Sequence, residues 1–471
     1  MLVGAFPSPV KNMKTLIFEG VFHPQDAANS PYVFLPFIVP PGVKTIKIRY
    51  FYDKGEENII DLGLFDPRGN EFLQGRGFRG WSGSAKESVI VSETWATPGY
   101  LPGPIYVGTW HVILGLYKIG RPCHYYVEVN LLKEEIKSSL ALDFSVHPPK
   151  SSKGWQKGDL HCHTIHSDAF GTVAEVWAAA QRRGLDFLAI TDHNTISHFS
   201  EIKELNRLGG QIIPGEEITT YHGHANVWGL WEWTEFRCTS SEEIKKVCTA
   251  VHAKGGLFSI NHPKRGGPEW EFSYDINADC MEVWQSFWQL NNIQSLGVWH
   301  SLLRQRRRVV AVGGSDAHPR LLKGRRMIEW LGFPTTWVRV EKPDAEGVLE
   351  GIRRGHVSIS ACPHGPFLEV NFLSGENVFY QGDVVTLPWG KLRVHTQGGA
   401  GLEVWLFSQK GYFTKRRVEG DDWVWEEKID LAHHGYVGAE LRVPLASENF
   451  EMAAIANPIW HGPWLEREKE E

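Results

Sequence analysis

The chain has 471 residues, too many for one ordinary hydrophobic core, so two or three domains are expected. Its 49 Lys and Arg stand against 55 Asp and Glu, a formal charge of -6 with no separate basic tail, which disfavours duplex nucleic acid as a partner. Its six cysteines show no CxxC spacing, which argues against a disulfide framework or a zinc ribbon, and no run of about 18 apolar residues marks a membrane span.

The opening MLVGAFPSPVKNMKTLIFEG lacks the apolar run of a signal peptide, so a soluble, cytoplasmic protein is expected. From about residue 15 to 132 the pattern is short, alternating and aromatic (YVFLPFIV, KTIKIRYFY, IIDLGLFD, WHVILGLY, HYYVEVNL), with PPG and DPRGN turn chemistry between the runs. That texture predicts an N-terminal β-sandwich domain over residues 1–150. EEIKSSLALDFSVHPPKSSKGWQKG reads as a linker with a tie-strand inside it.

From 158 the texture becomes strand, loop, helix, repeated, which indicates a parallel sheet or barrel with helices outside it, over residues 151–365. Thr172 and Glu175 form a T-x-x-E capping box for the first helix and Gly184 ends it, so Glu175 is a cap. Arg304, Arg306, Arg307 and Arg308 read as charge at a helix C-terminus, where the dipole favours cations. After Ser358 alternation returns, and residues 366–471 are expected to form a small C-terminal β domain. Its Trp405, Trp423 and Trp425 suit a sandwich core better than a sugar-binding platform.

The strand ends of the central region carry the chemistry. In GDLHCH, residues two apart share a face, so His161 and His163 can approach one ion while Cys162 turns into packing. Later strands end in Asp192-His193-Asn194, in Glu216-Glu217 with His224 following, in Asn261-His262, and in Ser315-Asp316-Ala317-His318. The C-terminal ends of parallel barrel strands open on one face, so these groups can converge. Imidazole and carboxylate in such number exceed the needs of one ion and suit two or three divalent transition-metal ions, with zinc, manganese and iron all open. His198, His222 and His252 lack comparable placement, and His166 reads as a rim residue.

DLHCHTIHSD, ITDHNT, PGEEITT with GHANVWGL, INHP and GGSDAH occur in an order that resembles the PHP (polymerase and histidinol phosphatase) superfamily, across roughly 158–365. The flanking β domains and EEITTYHGHANVWGL resemble its carbaryl-hydrolase-like branch. The resemblance implies a distorted (βα)7 barrel, flanked by β-sandwich-like domains, with a three-metal site. On matching positions it implies one ion on His161, His163, Glu217 and Asp316, a second on Glu217, His224 and His262, and a third on Asp168, His193 and His318. Glu216 is then structural.

The activity this implies is hydrolysis of small phosphate mono- or diesters by a metal-activated hydroxide, with Glu217 bridging and Asp316 or His318 carrying protons. Lys264, Arg265 and Arg320 are the expected contacts to substrate phosphate, Arg265 first because of its bidentate fork. Two alternatives stay open: hydrolysis of carboxylic or carbamate esters on the same metals, and a metal-stabilised scaffold whose β domains bind a glycan or protein.

Overall fold

The structure, a computed structural model, describes residues 12–137, 154–445 and 450–466. Alternation at the N-terminal end builds two four-stranded antiparallel sheets. One runs Asn12–Phe22, Cys123–Leu132, Thr45–Tyr52, Ser88–Ser92, and the other Tyr32–Val39, Gly108–Ile119, Asn58–Phe65, Phe78–Gly83. Ile46, Ile48, Leu62, Leu64, Val112, Leu114, Val127 and Val129 fill a common core between them, as a period of two requires.

The central region is built from β1 (Gly154–Asp159), α1 (Val173–Arg182), β2 (Phe187–Ile190), α2 (Phe199–Arg207), β3 (Ile212–Thr220), β4 (Gly223–Trp228), α3 (Ser241–Ala253), β5 (Leu257–Ile260), β6 (Cys280–Gln285), α4 (Asn292–Arg304), β7 (Val310–Gly314), β8 (Thr335–Val340), α5 (Ala345–Arg354) and β9 (Val357–Ser360). The tie-strand expected in the linker lies outside the described residues at 138–153. The end of that stretch, GWQKG, is not linker but β1, with Gln156 and Gly158 buried. It was hidden because its burial comes from its neighbours: a Cβ at Gly158 would lie 2.4 Å from Phe187, so only glycine lets β1 approach β2.

The strands follow the order β7-β6-β5-β4-β3-β2-β1-β8-β9 in one sheet. The strand–helix alternation points to parallel strands with helices outside them, but the sheet is mixed. β1–β2, β2–β3, β5–β6 and β6–β7 pair in parallel, but β3–β4, β4–β5, β1–β8 and β8–β9 pair antiparallel. Only four helices, α1 to α4, lie between β1 and β7. The physical reason is plain at β3–β4: Tyr221 and His222 alone connect them, and a connection that short can only reverse the chain. The capping box is present, with Thr172 Oγ1 accepting from Glu175 N at 3.2 Å and Thr172 N donating to Glu175 Oε2 at 2.9 Å.

The sheet curls until its first and last parts meet. Beyond β7, Asp316 N donates to His161 O at 2.8 Å and His163 N to Ala317 O at 3.0 Å. At the opposite end, the buried Asn457 amide acts as a strand substitute: its Oδ1 accepts from Ala311 N at 2.8 Å, and its Nδ2 donates to Ala311 O at 2.9 Å and Val357 O at 3.0 Å.

The expected boundary at 366 falls between strands of one sheet, because β9 pairs with Phe450–His461, which continues into Tyr436–Pro444, Glu403–Ser408 and Gly411–Arg417. A second sheet of Asn377–Tyr380, Phe367–Ser374, Trp389–Gln397 and Asp422–Asp430 packs over these strands through Leu368, Val370, Leu392, Val404, Leu406 and Leu441. Trp425 and Trp423 belong to that core, and Trp405 lies under Lys415 and Arg442.

Asn457→Ala removes the side-chain partner of the buried Ala311 N–H and C=O, each loss costing about 1–3 kcal/mol, while Val357 O keeps its bond from Gln381 Nε2 at 2.8 Å. The expected outcome is a urea midpoint clearly below that of the parent for the transition that reports the central sheet, followed by tryptophan fluorescence.

Candidate metal centre

All nine side chains proposed from the sequence as metal ligands meet at the mouth of the curled sheet. They form three overlapping groups whose ligand atoms lie within 4.8 Å of one another: His161, His163 and Glu217; Glu217, His224 and His262; and His163, Asp168, His193 and His318. Asp316 joins them through its Oδ1, 3.0 Å from His163 Nε2 and 3.4 Å from His161 Nε2. His163 thus sits in two groups rather than one. Cys162 faces the other way, with Sγ 3.2 Å from Ala189 O.

Local structure explains the convergence. His193 follows β2 beyond Thr191 and Asp192, His262 follows β5 beyond Asn261, and Asp316 follows β7 beyond Ser315. Glu217 and His224 stand on the two strands of the β3–β4 hairpin, in register Thr219↔His224. Asn194, His262 and Asp316 have φ of 53°, 28° and 53°, so the chain turns sharply as each strand delivers its group.

The electrostatics match a cation site. Burial works against charge on Glu217, yet the His161, His193 and His224 imidazoles outweigh it and hold the carboxylate well below its usual range. Asp316 is likewise held down, by His161 and by the hydrogen bond from His163, against its burial. Burial with the neighbouring His318 and His193 pushes His163 down to about 4, the neutral form a ligand needs. Two buried atoms that face into the cluster, His161 Nε2 and Glu217 Oε2, have no hydrogen-bond partner. Oε2 lies 2.8 Å from His193 Nδ1 without hydrogen-bond geometry. Ionised carboxylates, the neutral His163 ring and orphaned ligand atoms aimed at one another fit divalent metal ions.

Three buried carboxylates brace this arrangement: Glu282 and Asp159, which the sequence did not single out, and Asp192, which it offered only as part of the strand end that carries His193. Glu282 on β6 accepts from His161 Nδ1 at 2.9 Å and from His262 N at 3.1 Å. Asp159 accepts from the backbone N–H of His161, Ser315 and Gly332, at 3.2, 3.0 and 2.7 Å, tying the end of β1 to the end of β7. Asp192 accepts from Thr164 N, Thr164 Oγ1 and Ser167 Oγ at 2.7, 2.6 and 2.6 Å, shaping the loop that carries Asp168. The available signal was an acid inside an otherwise apolar strand, as in CMEVWQ.

The expected phosphate contacts are less well gathered. Lys264 Nζ donates to Gln285 O at 3.1 Å and Asn292 Oδ1 at 2.9 Å, beside Gln285 Nε2, which donates to Asp316 Oδ2 at 2.9 Å. Arg265 and Arg320 are exposed, and among the described residues neither guanidinium bonds to the nine. His166 is not at the rim. It is buried, with Nδ1 2.7 Å from Ser197 Oγ and Nε2 3.0 Å from Glu201 Oε1, because its loop folds inward over Asp192. Glu216 is structural: burial raises its carboxyl well above its ordinary value, and it accepts from Thr234 N at 2.9 Å. His198, His222 and His252 pair elsewhere, with Gly215 O, Glu271 and Asp279. Of the arginine run, Arg307 pairs with Asp275, Arg308 donates to Gly382 O and Arg306 lies over Trp464.

Residues 159–284 match the model of the PHP domain. The chain is 29% identical over 157 residues to an uncharacterized protein of Methanocaldococcus jannaschii, a match covering 29% of this chain and 88% of that protein. It is 39% identical over 64 residues to the phosphoribosyl 1,2-cyclic phosphate 1,2-diphosphodiesterase of Eggerthella lenta, covering 13% of this chain and 24% of that enzyme. It is 29% identical over 140 residues to a protein of Photobacterium profundum named "Probable phosphatase", covering 25% of this chain and 56% of the relative.

In Glu282→Gln, the amide keeps one acceptor where the carboxylate served both His161 Nδ1 and His262 N. Metal affinity is expected to fall about ten- to hundred-fold, the usual scale for a group that orients a ligating imidazole, measured by competition with a chelator.

Proposed function

We propose that this chain, which carries a PHP domain, is a metal-dependent phosphoesterase acting on small phosphate mono- or diesters. The observation that carries the reading is the sharing of Glu217 and His163 between adjacent donor groups, which suits neighbouring ions. The diphosphodiesterase and phosphatase names of two relatives support it.

His161, His163, Glu217 and Asp316 would hold one ion, Glu217 with His224 and His262 a second, and Asp168, His193 and His318 a third. Bound divalent ions supply Lewis acidity, lowering the pKa of water and neutralising charge on a phosphoryl oxygen. The chain's own residues supply position. Glu217 fixes the spacing of two donor groups, and Glu282 fixes the tautomer of His161 by accepting at Nδ1. Asp316 or His318 would carry protons to or from the reacting oxygens, and His318 Nε2 lies 3.3 Å from Asp168 Oδ1. An ammonium has three donors, and Lys264 uses two on Gln285 and Asn292, leaving the third for a phosphate oxygen. Arg265 and Arg320 supply further cations from the rim.

Protein purified without chelator or histidine tag is expected to contain two to three transition-metal equivalents by elemental analysis. It is expected to hydrolyse p-nitrophenyl phosphate or bis(p-nitrophenyl) phosphate in preference to p-nitrophenyl acetate. Glu217→Gln is expected to reduce that turnover by about a thousandfold, the scale of losing a group that organises transition-state charge. Fewer than one equivalent with none regained on reconstitution, or turnover of the carboxylic ester alone, overturns the reading.

A further inference from the structure

The N-terminal sandwich reaches the metal centre at three points. The first is Lys86, half-buried on the loop between Phe78–Gly83 and Ser88–Ser92. Its Nζ crosses to the loop carrying Asp168 and donates to Ile165 O at 3.1 Å and Ser167 O at 2.7 Å. The second is Gly99, whose N–H donates to Ser197 Oγ and whose carbonyl accepts from Thr195 Oγ1, both at 2.9 Å. With φ of +99°, and with His166 O only 2.9 Å from where a Cβ would lie, this position admits glycine alone. The third is Asp61, which accepts from Tyr221 OH at 2.8 Å at the tip of the β3–β4 hairpin bearing Glu217 and His224.

Of these, the Lys86 contact governs a ligand most directly. The Asp168 side chain is 46% exposed, and its ion-pair partners among the described residues are imidazoles, His318 Nε2 at 3.3 Å and His193 Nε2 at 3.7 Å. Among the described residues no backbone donor fixes its carboxylate, so its position follows the loop. Asp192 latches the inner side of that loop through Thr164 and Ser167. Lys86 holds the outer side, and Ser167 O belongs to the peptide that leads into Asp168. A charge-assisted bond at that carbonyl fixes the peptide plane from which the Asp168 side chain departs.

We propose that the N-terminal sandwich is an integral part of the metal centre, with Lys86 as the positioning residue for the Asp168, His193 and His318 group. This inference rests on the metal reading above. Lys86→Met keeps the length of the side chain and removes its donors; Lys86→Arg keeps charge and donors. Lys54→Met is the control, since Lys54 Nζ donates to Ser84 O within the sandwich at 3.1 Å and does not touch the central region.

Two readouts separate the inference from its premise. In chelator-stripped protein, hydrogen exchange over residues 164–170 is expected to be about tenfold or more faster in Lys86→Met, the scale of losing bonds to a charged donor. After reconstitution, elemental analysis is expected to show about one equivalent fewer than the parent, or a chelator titration to show the weakest ion bound about ten- to hundred-fold more weakly. Lys86→Arg and Lys54→Met are expected to match the parent in both. Lys86→Gln, which keeps a donor amide, gives an intermediate result and serves if the methionine variant does not fold. Parental exchange and metal content in Lys86→Met and Lys86→Gln would overturn the inference. A parent that binds no metal overturns the premise, while the exchange experiment still reports on the Lys86 latch.

Discussion

Glu217 sets the terms for the rest of the centre. Its carboxylate is 1% exposed, and the imidazoles of His161, His163, His193, His224 and His262 approach it within 2.8 to 3.5 Å. A buried carboxylate with so few neutral hydrogen-bond donors, Asn261 Nδ2 at 2.9 Å among them, is stable only if positive charge is supplied close by. Protons on imidazoles can supply it, and so can divalent ions bound between the same atoms. The surrounding structure holds five rings in place around one acceptor, which is the preorganisation that binding of cations requires.

That demand accounts for the departure from a parallel barrel. Glu217 and His224 are seven residues apart yet His224 Nδ1 lies 3.1 Å from Glu217 Oε1, a contact that a strand-helix-strand unit could not produce. The antiparallel hairpin pairs Thr219 with His224, and Thr219 shares a face with Glu217, so the imidazole falls diagonally beside the carboxylate. Reversal of one strand therefore brings two ligands to one level of the sheet. Closure of the sheet serves the same end: Asp316 N on His161 O places the last strand's acid against the first strand's imidazole.

The ligands were legible in the sequence because strand ends with His and acid recur at a readable spacing, and because His161 and His163 obey a period of two. The braces were harder to see. Glu282, Asp159 and Asp192 act through backbone N–H groups and through another residue's ring, contacts that depend on which strands become neighbours. The mixed sheet was obscured for a related reason, since GWQKGD has little β propensity and becomes a strand through Phe187 on one side and β8 on the other. Arg265 looked like the natural phosphate clamp on chemistry alone, but the loop after His262 directs Lys264 inward and leaves Arg265 exposed. Chain direction at a loop is decided by contacts such as Asn291 Nδ2 on Arg265 O, which periodicity does not report.

Exposure divides the centre into an inner and an outer part. His161 and His163 are fully buried and Glu217 nearly so, whereas side-chain exposure rises to 22% at His193, 31% at His318 and 46% at Asp168. The inner groups are braced by carboxylates within the central sheet, and their positions are over-determined. The outer group rests on a loop whose outer carbonyls are held by a lysine from another sheet system. Solvent, and any substrate arriving from it, meets this outer group first. On the proposal that Lys86 positions Asp168, the geometry of this outer group is also the part that depends on docking of the sandwich, which acts through Lys86 and Gly99 on the solvent-facing side of the centre.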